Sequence, residues 1–262
     1  MIPVIISGAC GRMGKAIIQC AMENEDMKVA GALERPGHDS LGKTVAEACE
    51  ISGCEVVLTD DPASVKEKKA VLIEFTSPEA TMKHLESCLE LGRPMMIGTT
   101  ALNADQLEKV KKAGETIPVV LASNTSVGVN LLFNLVHDAA KALGNDYDAE
   151  IFEVHHRFKK DAPSGTAKSL AESVAGARKQ NPEKDIIYGR HGIVGERKSG
   201  EIGVHAIRAG DVVGEHTVIF STLGERIELT HRCHSRIIFA RGAIRAAAYL
   251  HDQKPGFYDM QD

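Results

Sequence analysis

The chain has 262 residues, enough for two modest domains, with 43% hydrophobic and 26% charged residues, the composition of an ordinary globular protein. A net charge of −5, 4% aromatic residues and no Trp exclude a nucleic-acid binder that works by bulk attraction or base stacking. No stretch approaches the ~20 consecutive apolar residues that span a bilayer, so no membrane partner is expected.

Met1-Ile2-Pro3-Val4-Ile5-Ile6-Ser7 carries no basic leader and runs straight into a strand, which argues against a signal peptide and for the cytoplasm. Strand-like runs follow at 28–33, 55–59, 71–75, 94–97 and 118–122. Helical stripes lie between several of them. Met13, Ile17, Ile18 and Ala21 form one; Ala80, His84, Leu85, Cys88 and Leu89 form another, opened by Ser77-Pro78-Glu79, where Pro suits a first turn. Leu107, Val110, Lys111 and Gly114 make a weaker third. This alternation predicts a parallel sheet with helices on both faces.

After about residue 126 the pattern changes. A long helix is expected over 128–143, with Leu131, Leu132, Leu135, Val136, Ala139 and Leu143 apolar. Strands are expected near 149–155, 203–208, 214–222 and 226–233, with a helix at 166–178 and an exposed excursion over 182–201. The fold class is therefore α/β: a Rossmann-type parallel-sheet domain plus an α+β domain whose sheet has about four strands. Val213, Val218, Phe220, Ile227 and Leu229 offer more apolar surface than the helix at 166–178 covers, which predicts self-association of that sheet into a symmetric oligomer, a tetramer. A last helix occupies 237–249, and there is no internal repeat.

Gly8-Ala9-Cys10-Gly11-Arg12-Met13-Gly14 follows the first strand and opens the first helix. Such a turn lets backbone approach a pyrophosphate. Its spacing is G-x-x-G-x-x-G, with Cys10 where the second Gly usually stands. Glu34, at the end of the second strand, is placed to accept from the adenosine ribose hydroxyls, and Arg35 beside it to pair with a 2′-phosphate, so both NADH and NADPH remain open. The plainer reading of Glu34-Arg35 is a strand-end charge pair facing water. Gly98-Thr99-Thr100 and Ala122-Ser123-Asn124-Thr125-Ser126 sit at two further strand ends and offer hydroxyls, an amide and backbone groups to a nicotinamide.

Glu153-Val154-His155-His156-Arg157-Phe158-Lys159-Lys160-Asp161-Ala162-Pro163-Ser164-Gly165-Thr166-Ala167 joins a strand to a helix start. A helix N-terminus attracts anions, lysines add full charges, and imidazoles exchange protons near neutral pH. Taken singly, a His pair or a Ser-Gly-Thr is surface or helix-cap chemistry; together they describe a site for a small diacid that must also be protonated. If the strand continues through the pair, His155 and His156 point to opposite sides. Six cysteines, at 10, 20, 49, 54, 88 and 233, show no C-x-x-C pair, so neither a disulfide framework nor a metal site is expected, His231-Arg232-Cys233-His234 included.

These segments together resemble the 4-hydroxy-tetrahydrodipicolinate reductase family, formerly called dihydrodipicolinate reductase, of bacterial and plant lysine biosynthesis. The resemblance rests on GACGRMG at 8–14, LER at 33–35, FTSPEAT at 75–81, GTT at 98–100, SVGVN at 126–130, EVHHRFKKDAPSGTA at 153–167, IRAGDVVGEHTV at 207–218 and GFYDM at 256–260. It implies a dinucleotide-binding domain over 1–126 and 237–262, a substrate-binding and oligomerisation domain over 127–236, and a homotetramer. It implies His155 and Lys159 as the proton-transfer residues, and His156, Lys159, Gly165 and Thr166 as contacts of the substrate carboxylates. For NADH or NADPH it implies Gly8, Ala9, Cys10, Gly11, Arg12, Met13, Glu34, Arg35, Gly98, Thr99, Thr100, Ala122, Ser123, Asn124 and Thr125. Thr125 departs from the family pattern, since an aromatic stands there in some members. The alternatives are another NAD(P)H-dependent reductase of a small dicarboxylate or imine, and a non-enzymatic NAD(P)H-sensing module.

Overall fold

A computed structural model describes residues 1–262. In chain order the elements are β1 (Ile2–Ser7), α1 (Arg12–Met22), β2 (Met27–Leu33), α2 (Val45–Cys49), β3 (Leu58–Thr59), β4 (Val71–Glu74), α3 (Pro78–Leu91), β5 (Met95–Ile97), α4 (Ala104–Ala113) and β6 (Pro118–Leu121). There follow α5 (Val127–Leu143), β7 (Asp148–His155), α6 (Gly165–Arg178), α7 (Pro182–Asp185), β8 (Ile186–Tyr188), β9 (Ile202–Arg208), β10 (Gly214–Thr222), β11 (Glu225–Cys233), α8 (Ile237–His251) and β12 (Gly256–Tyr258). The chain divides into two compact units, Met1–Ser126 with Arg236–Asp262, and Val127–Ser235. No helix is long and apolar enough to cross a membrane.

The first unit is a seven-stranded sheet in the order β12-β6-β5-β4-β1-β2-β3, with every pairing parallel. Its central strands are buried on both faces, which is why they read as unbroken apolar runs. Side chains alternate between faces. Val4, Ile6, Ile73 and Met96 join a core with α1 and α8, and Ile5, Leu72, Met95 and Ile97 join one with α3 and α4. The helix starts follow the sequence: Ser77 caps α3 by accepting from the Ala80 amide with Pro78 in the first turn, and Asn103 and Gln106 form a reciprocal box at α4. The expected strand at 55–59 shortens to Leu58–Thr59, because Val57 is drawn off into an antiparallel bridge with Thr44.

The second unit carries a five-stranded mixed sheet, β11-β10-β7-β9-β8, rather than about four strands. The extra strand is β8, inside the stretch read as an exposed excursion. Three residues are too few to show a period, yet Ile186 is buried and pairs with Ile202 in parallel register. The rest of the excursion is pinned by Glu150, which accepts from both guanidinium nitrogens of Arg190 at 2.9 Å and from Arg197 Nε at 2.9 Å.

Two helices, α5 and α6, cover one face of this sheet. Leu132, Val136 and Ala140 of α5 and Leu170, Ala171 and Val174 of α6 close over Ile151, Val204, Val218 and Phe220. Val218 and Phe220 are thus fully buried within the unit and are not surplus surface, because α5 adds the cover that α6 alone would not give. Leu131 and Leu135 of α5 stay exposed; the apolar positions of this helix span more than the one face that packs. On the opposite face of the sheet stand Phe152, Val154 and Ile219, half-buried, and Ile207, exposed.

Candidate active site

Loops after β1, β2, β4, β5 and β6 line the carboxyl edge of the first sheet, where ligands of open α/β sheets bind. The β1 loop turns at Gly8, whose φ of +65° suits glycine, and closes with the Gly11 amide donating to the Gly8 carbonyl at 2.9 Å. A Cβ at Gly14 would overlap that same carbonyl, so α1 can only start this close to β1 with glycine there. Gly11 caps α1 without any side-chain hydrogen bond. A turn stripped of side chains at a helix N-terminus fits the pyrophosphate of a dinucleotide.

Glu34 lies against this turn. It accepts from the Cys10 amide at 2.8 Å and from the Arg35 amide at 3.2 Å, while the Arg35 side chain is exposed. Thr99 is buried, and its hydroxyl accepts the Thr76 amide at 3.1 Å, so it ties the β5 loop to the β4 loop rather than reaching outward. Thr125 is also buried, and its hydroxyl donates to the Phe239 carbonyl at 2.7 Å. This hydroxyl is committed within the fold, which leaves Ser123, exposed, and Thr100, exposed, as the outward hydroxyls of the two loops. The β4 loop escaped the residue-by-residue reading, although Thr76 packs its methyl group beside Gly8 and donates to the buried Glu74, whose other oxygen pairs with His84 at 2.6 Å.

In the second unit β7 ends at His155, and the loop to α6 carries the predicted polar residues. That loop is held at several points. The Ala209 amide donates to the His155 carbonyl at 2.9 Å, the Arg157 amide to the Gly210 carbonyl at 3.0 Å, and Arg208 Nη2 to the Asp161 carbonyl at 2.7 Å. Ser164 caps α6 by accepting from the Ala167 amide at 3.2 Å. Gly165 is exposed and Thr166 half-buried in the first turn, where a helix favours anions.

His155 is buried and its Nδ1 is paired with Glu153, a fully buried carboxylate two residues back on the same strand face. Glu153 also takes both Nη atoms of Arg208 at 2.9 Å and the Ser164 amide at 3.1 Å. Burial alone would raise its carboxyl, but the hydrogen bonds from His155, Arg208 and Ser164 outweigh it and hold Glu153 at about 2. The carboxylate is therefore ionised and fixes the imidazole, as the partner of a proton-carrying histidine must. Gly214 lies against the Nε2 edge, where a Cβ would stand 3.0 Å from Nε2, so any larger residue there would crowd the ring.

His216 packs edge-on to His155 with ring centroids 5.1 Å apart, and its Nε2 meets the Ser164 hydroxyl at 3.1 Å. Burial, then the neighbouring His155, lowers His216 to about 3, so it is neutral at physiological pH and adds no second cation. His156 turns its ring toward Phe158, with centroids 6.4 Å apart. Lys159 pairs with Asp161 at 2.9 Å. Glu153, Arg208 and His216 were not singled out from sequence, whereas Ser164 is the cap that Ser-Gly-Thr suggested. Only E-x-H on one strand face could have exposed the first, because Arg208 and His216 come from strands that the sequence does not place beside β7.

The neutral His216 has a consequence for stability. Above the unfolded-state value near 6.5 both states are neutral. Below it the unfolded chain takes up a proton that the folded site refuses until about pH 3, so stability falls with acidification by about 1.4 kcal/mol per pH unit from this group. Urea unfolding followed by far-UV circular dichroism between pH 6.5 and 4.5 should show this slope, and His216→Gln should flatten it. Equal slopes in parent and variant would refute the assignment.

Two family domains cover the chain. Dihydrodipicolinate reductase, N-terminus, matches residues 2–125, and Dihydrodipicolinate reductase, C-terminus, matches residues 128–262. The chain belongs to the dihydrodipicolinate reductase family. It is 48% identical over 262 residues to the 4-hydroxy-tetrahydrodipicolinate reductases of Syntrophus aciditrophicus and of Hahella chejuensis, spanning all of this chain and 98% of each relative. Among solved structures, the dipicolinate-bound dihydrodipicolinate reductase of Paenisporosarcina sp. TG-14 superposes with a TM-score of 0.77 at 24% identity over 99% of this chain and 97% of that one. The amine dehydrogenase of Mycobacterium smegmatis shares the fold more distantly, with a TM-score of 0.55 at 10% identity over 98% of this chain and 94% of that one.

Proposed function

We propose that this chain reduces 4-hydroxy-tetrahydrodipicolinate to tetrahydrodipicolinate with NADH or NADPH, in the diaminopimelate route to lysine. The observation that carries the proposal is the Glu153–His155 pair at the end of β7, followed by a loop that leads through Lys159 into the N-terminus of α6, in a chain of this family. Hydride would come from the nicotinamide cofactor, whose pyrophosphate suits the turn at 8–13 and whose ribose suits Glu34. His155, steadied through Nδ1, presents Nε2 as the proton carrier. The Lys159 ammonium, now on Asp161, is placed to exchange that partner for a substrate carboxylate or to protonate the departing 4-hydroxyl. His156, Gly165 and Thr166 take the remaining carboxylate contacts.

The test is oxidation of NADH and of NADPH driven by the freshly formed cyclic diacid imine. Both cofactors should serve. Arg35→Ala should weaken NADPH by about 1.5–3 kcal/mol more than NADH, the loss expected for a charge-assisted contact to a 2′-phosphate. Equal losses would detach Arg35 from that role, and no cofactor oxidation would remove the functional reading itself.

We further propose a homotetramer formed through the second unit. The sheet face opposite α5 and α6 bears Phe152, Val154, Ile207 and Ile219 with no helix of that unit over it. Light scattering at micromolar concentration should give four times the chain mass, and a monomer mass would refute it.

A further inference from the structure

Folding of the first unit gathers two thiols, a carboxylate and an imidazole from three separate stretches of the sequence. Cys10 Sγ lies 3.6 Å from Cys49 Sγ. One ligand atom each from Cys10, Glu34 and His38 lies within 4.8 Å of the others, and all three residues are half-buried. The linear spacing of the cysteines hides this cluster, because Cys10 leaves β1, Glu34 and His38 follow β2, and Cys49 ends α2.

We propose that Cys10, Glu34 and His38 form a three-ligand binding site for one soft divalent cation of the zinc class, with solvent completing the coordination. Cys49 stays outside this set: its buried Sγ donates to the Ala9 carbonyl and to Cys10 Sγ at 3.6 Å, and burial with the Cys10 neighbour raises its thiol to about 12, so it remains protonated beside the ligand sulfur. Nitrogen and oxygen ligands of a tetrahedral zinc stand about 3.5 Å from a ligand sulfur, so the three side chains would contract from their present spacing of up to 4.8 Å. Glu34 uses one lone pair of each oxygen on the Cys10 and Arg35 amides and keeps the others. The imidazole lone pair at His38 Nδ1 now receives only the Ser40 amide at 3.2 Å, and metal would replace that amide. Thiolate with imidazole selects zinc over the hard cations magnesium and calcium. Cys49 is buried, so the ion would be reached from the Cys10 and His38 side.

The same Glu34 carboxylate and Cys10 backbone are assigned above to the dinucleotide. Zinc and NADH should therefore exclude one another, a clause that rests on the proposed cofactor reading, whereas the metal site itself does not. Equilibrium dialysis of the reduced full chain against zinc chloride, without dinucleotide, should give one zinc per chain. Cys10→Ser and His38→Gln should each weaken uptake by about tenfold or more. Cobalt(II) chloride should give a thiolate charge-transfer band and the intense visible bands of a tetrahedral site, with the charge-transfer band lost in Cys10→Ser. Zinc should weaken NADH binding to the parent and not to His38→Gln, whose NADH affinity without metal shows that the variant is folded.

No stoichiometric uptake, or uptake unchanged in both Cys10→Ser and His38→Gln, overturns the site. Uptake that leaves NADH affinity untouched overturns the exclusion. Failure of the parent to bind NADH in the absence of metal strikes the cofactor reading alone, because zinc stoichiometry is measured without it.

Discussion

His155→Gln is expected to lower kcat by about 10²–10⁴-fold with a modest change in KM. Gln fills similar space and can keep a hydrogen bond to Glu153, but it cannot carry a proton. The imidazole is held from the Nδ1 side by an ionised, fully buried carboxylate, and only a glycine, Gly214, stands against its Nε2 edge. That arrangement supports the proposed role of His155 as proton carrier, which the substitution tests. His156 follows the last residue of β7 and turns toward Phe158, so it does not share the Glu153 pairing. His156→Gln should mainly raise KM. Steady-state kinetics with saturating cofactor decide the matter. If His156→Gln abolishes turnover while His155→Gln leaves kcat intact, the two roles are reversed; if neither matters, the loop is structural.

Much of this was readable because the informative residues lie close together in sequence. The glycine turn, Glu34 and the run from His155 to Thr166 each occupy one loop at one strand end, so the alternation of strand and helix places them without knowledge of the sheet order. The parallel sheet itself was legible from buried central strands such as Ile5-Ile6 and Leu72-Ile73. What escaped depends on contacts between distant segments. Thr99 and Thr125 read as outward hydroxyls at strand ends, yet each is claimed by a neighbouring loop or helix, Thr76 for one and Phe239 for the other. β8 was too short to show a period, and the cover given by α5 to Val218 and Phe220 became visible only with the packing. Arg208 lies 55 residues from Glu153 and His216 lies 52 from Ser164, and no local pattern ties them together.

Arg208→Met should cost about 3–5 kcal/mol of stability, the range for breaking a buried ion pair from one side. Glu153 is fully buried, so without Arg208 its charge keeps only His155 and the Ser164 amide as partners. The variant also loses the guanidinium contact to the Asp161 carbonyl at 2.7 Å, which holds the loop carrying Lys159. Urea unfolding at neutral pH measures the loss. Removing the carboxylate as well separates stability from chemistry. The double variant Arg208→Met with Glu153→Met buries no unpaired charge, and apolar replacement of a buried pair is often neutral or better, so much of the stability should return. Its kcat should stay low, because His155 then has nothing on Nδ1 to fix its tautomer and orientation. Stability and kcat recovering together would mean that Glu153 and Arg208 serve the fold alone. An Arg208→Met variant within about 1 kcal/mol of the parent would show that the buried carboxylate does not depend on the guanidinium.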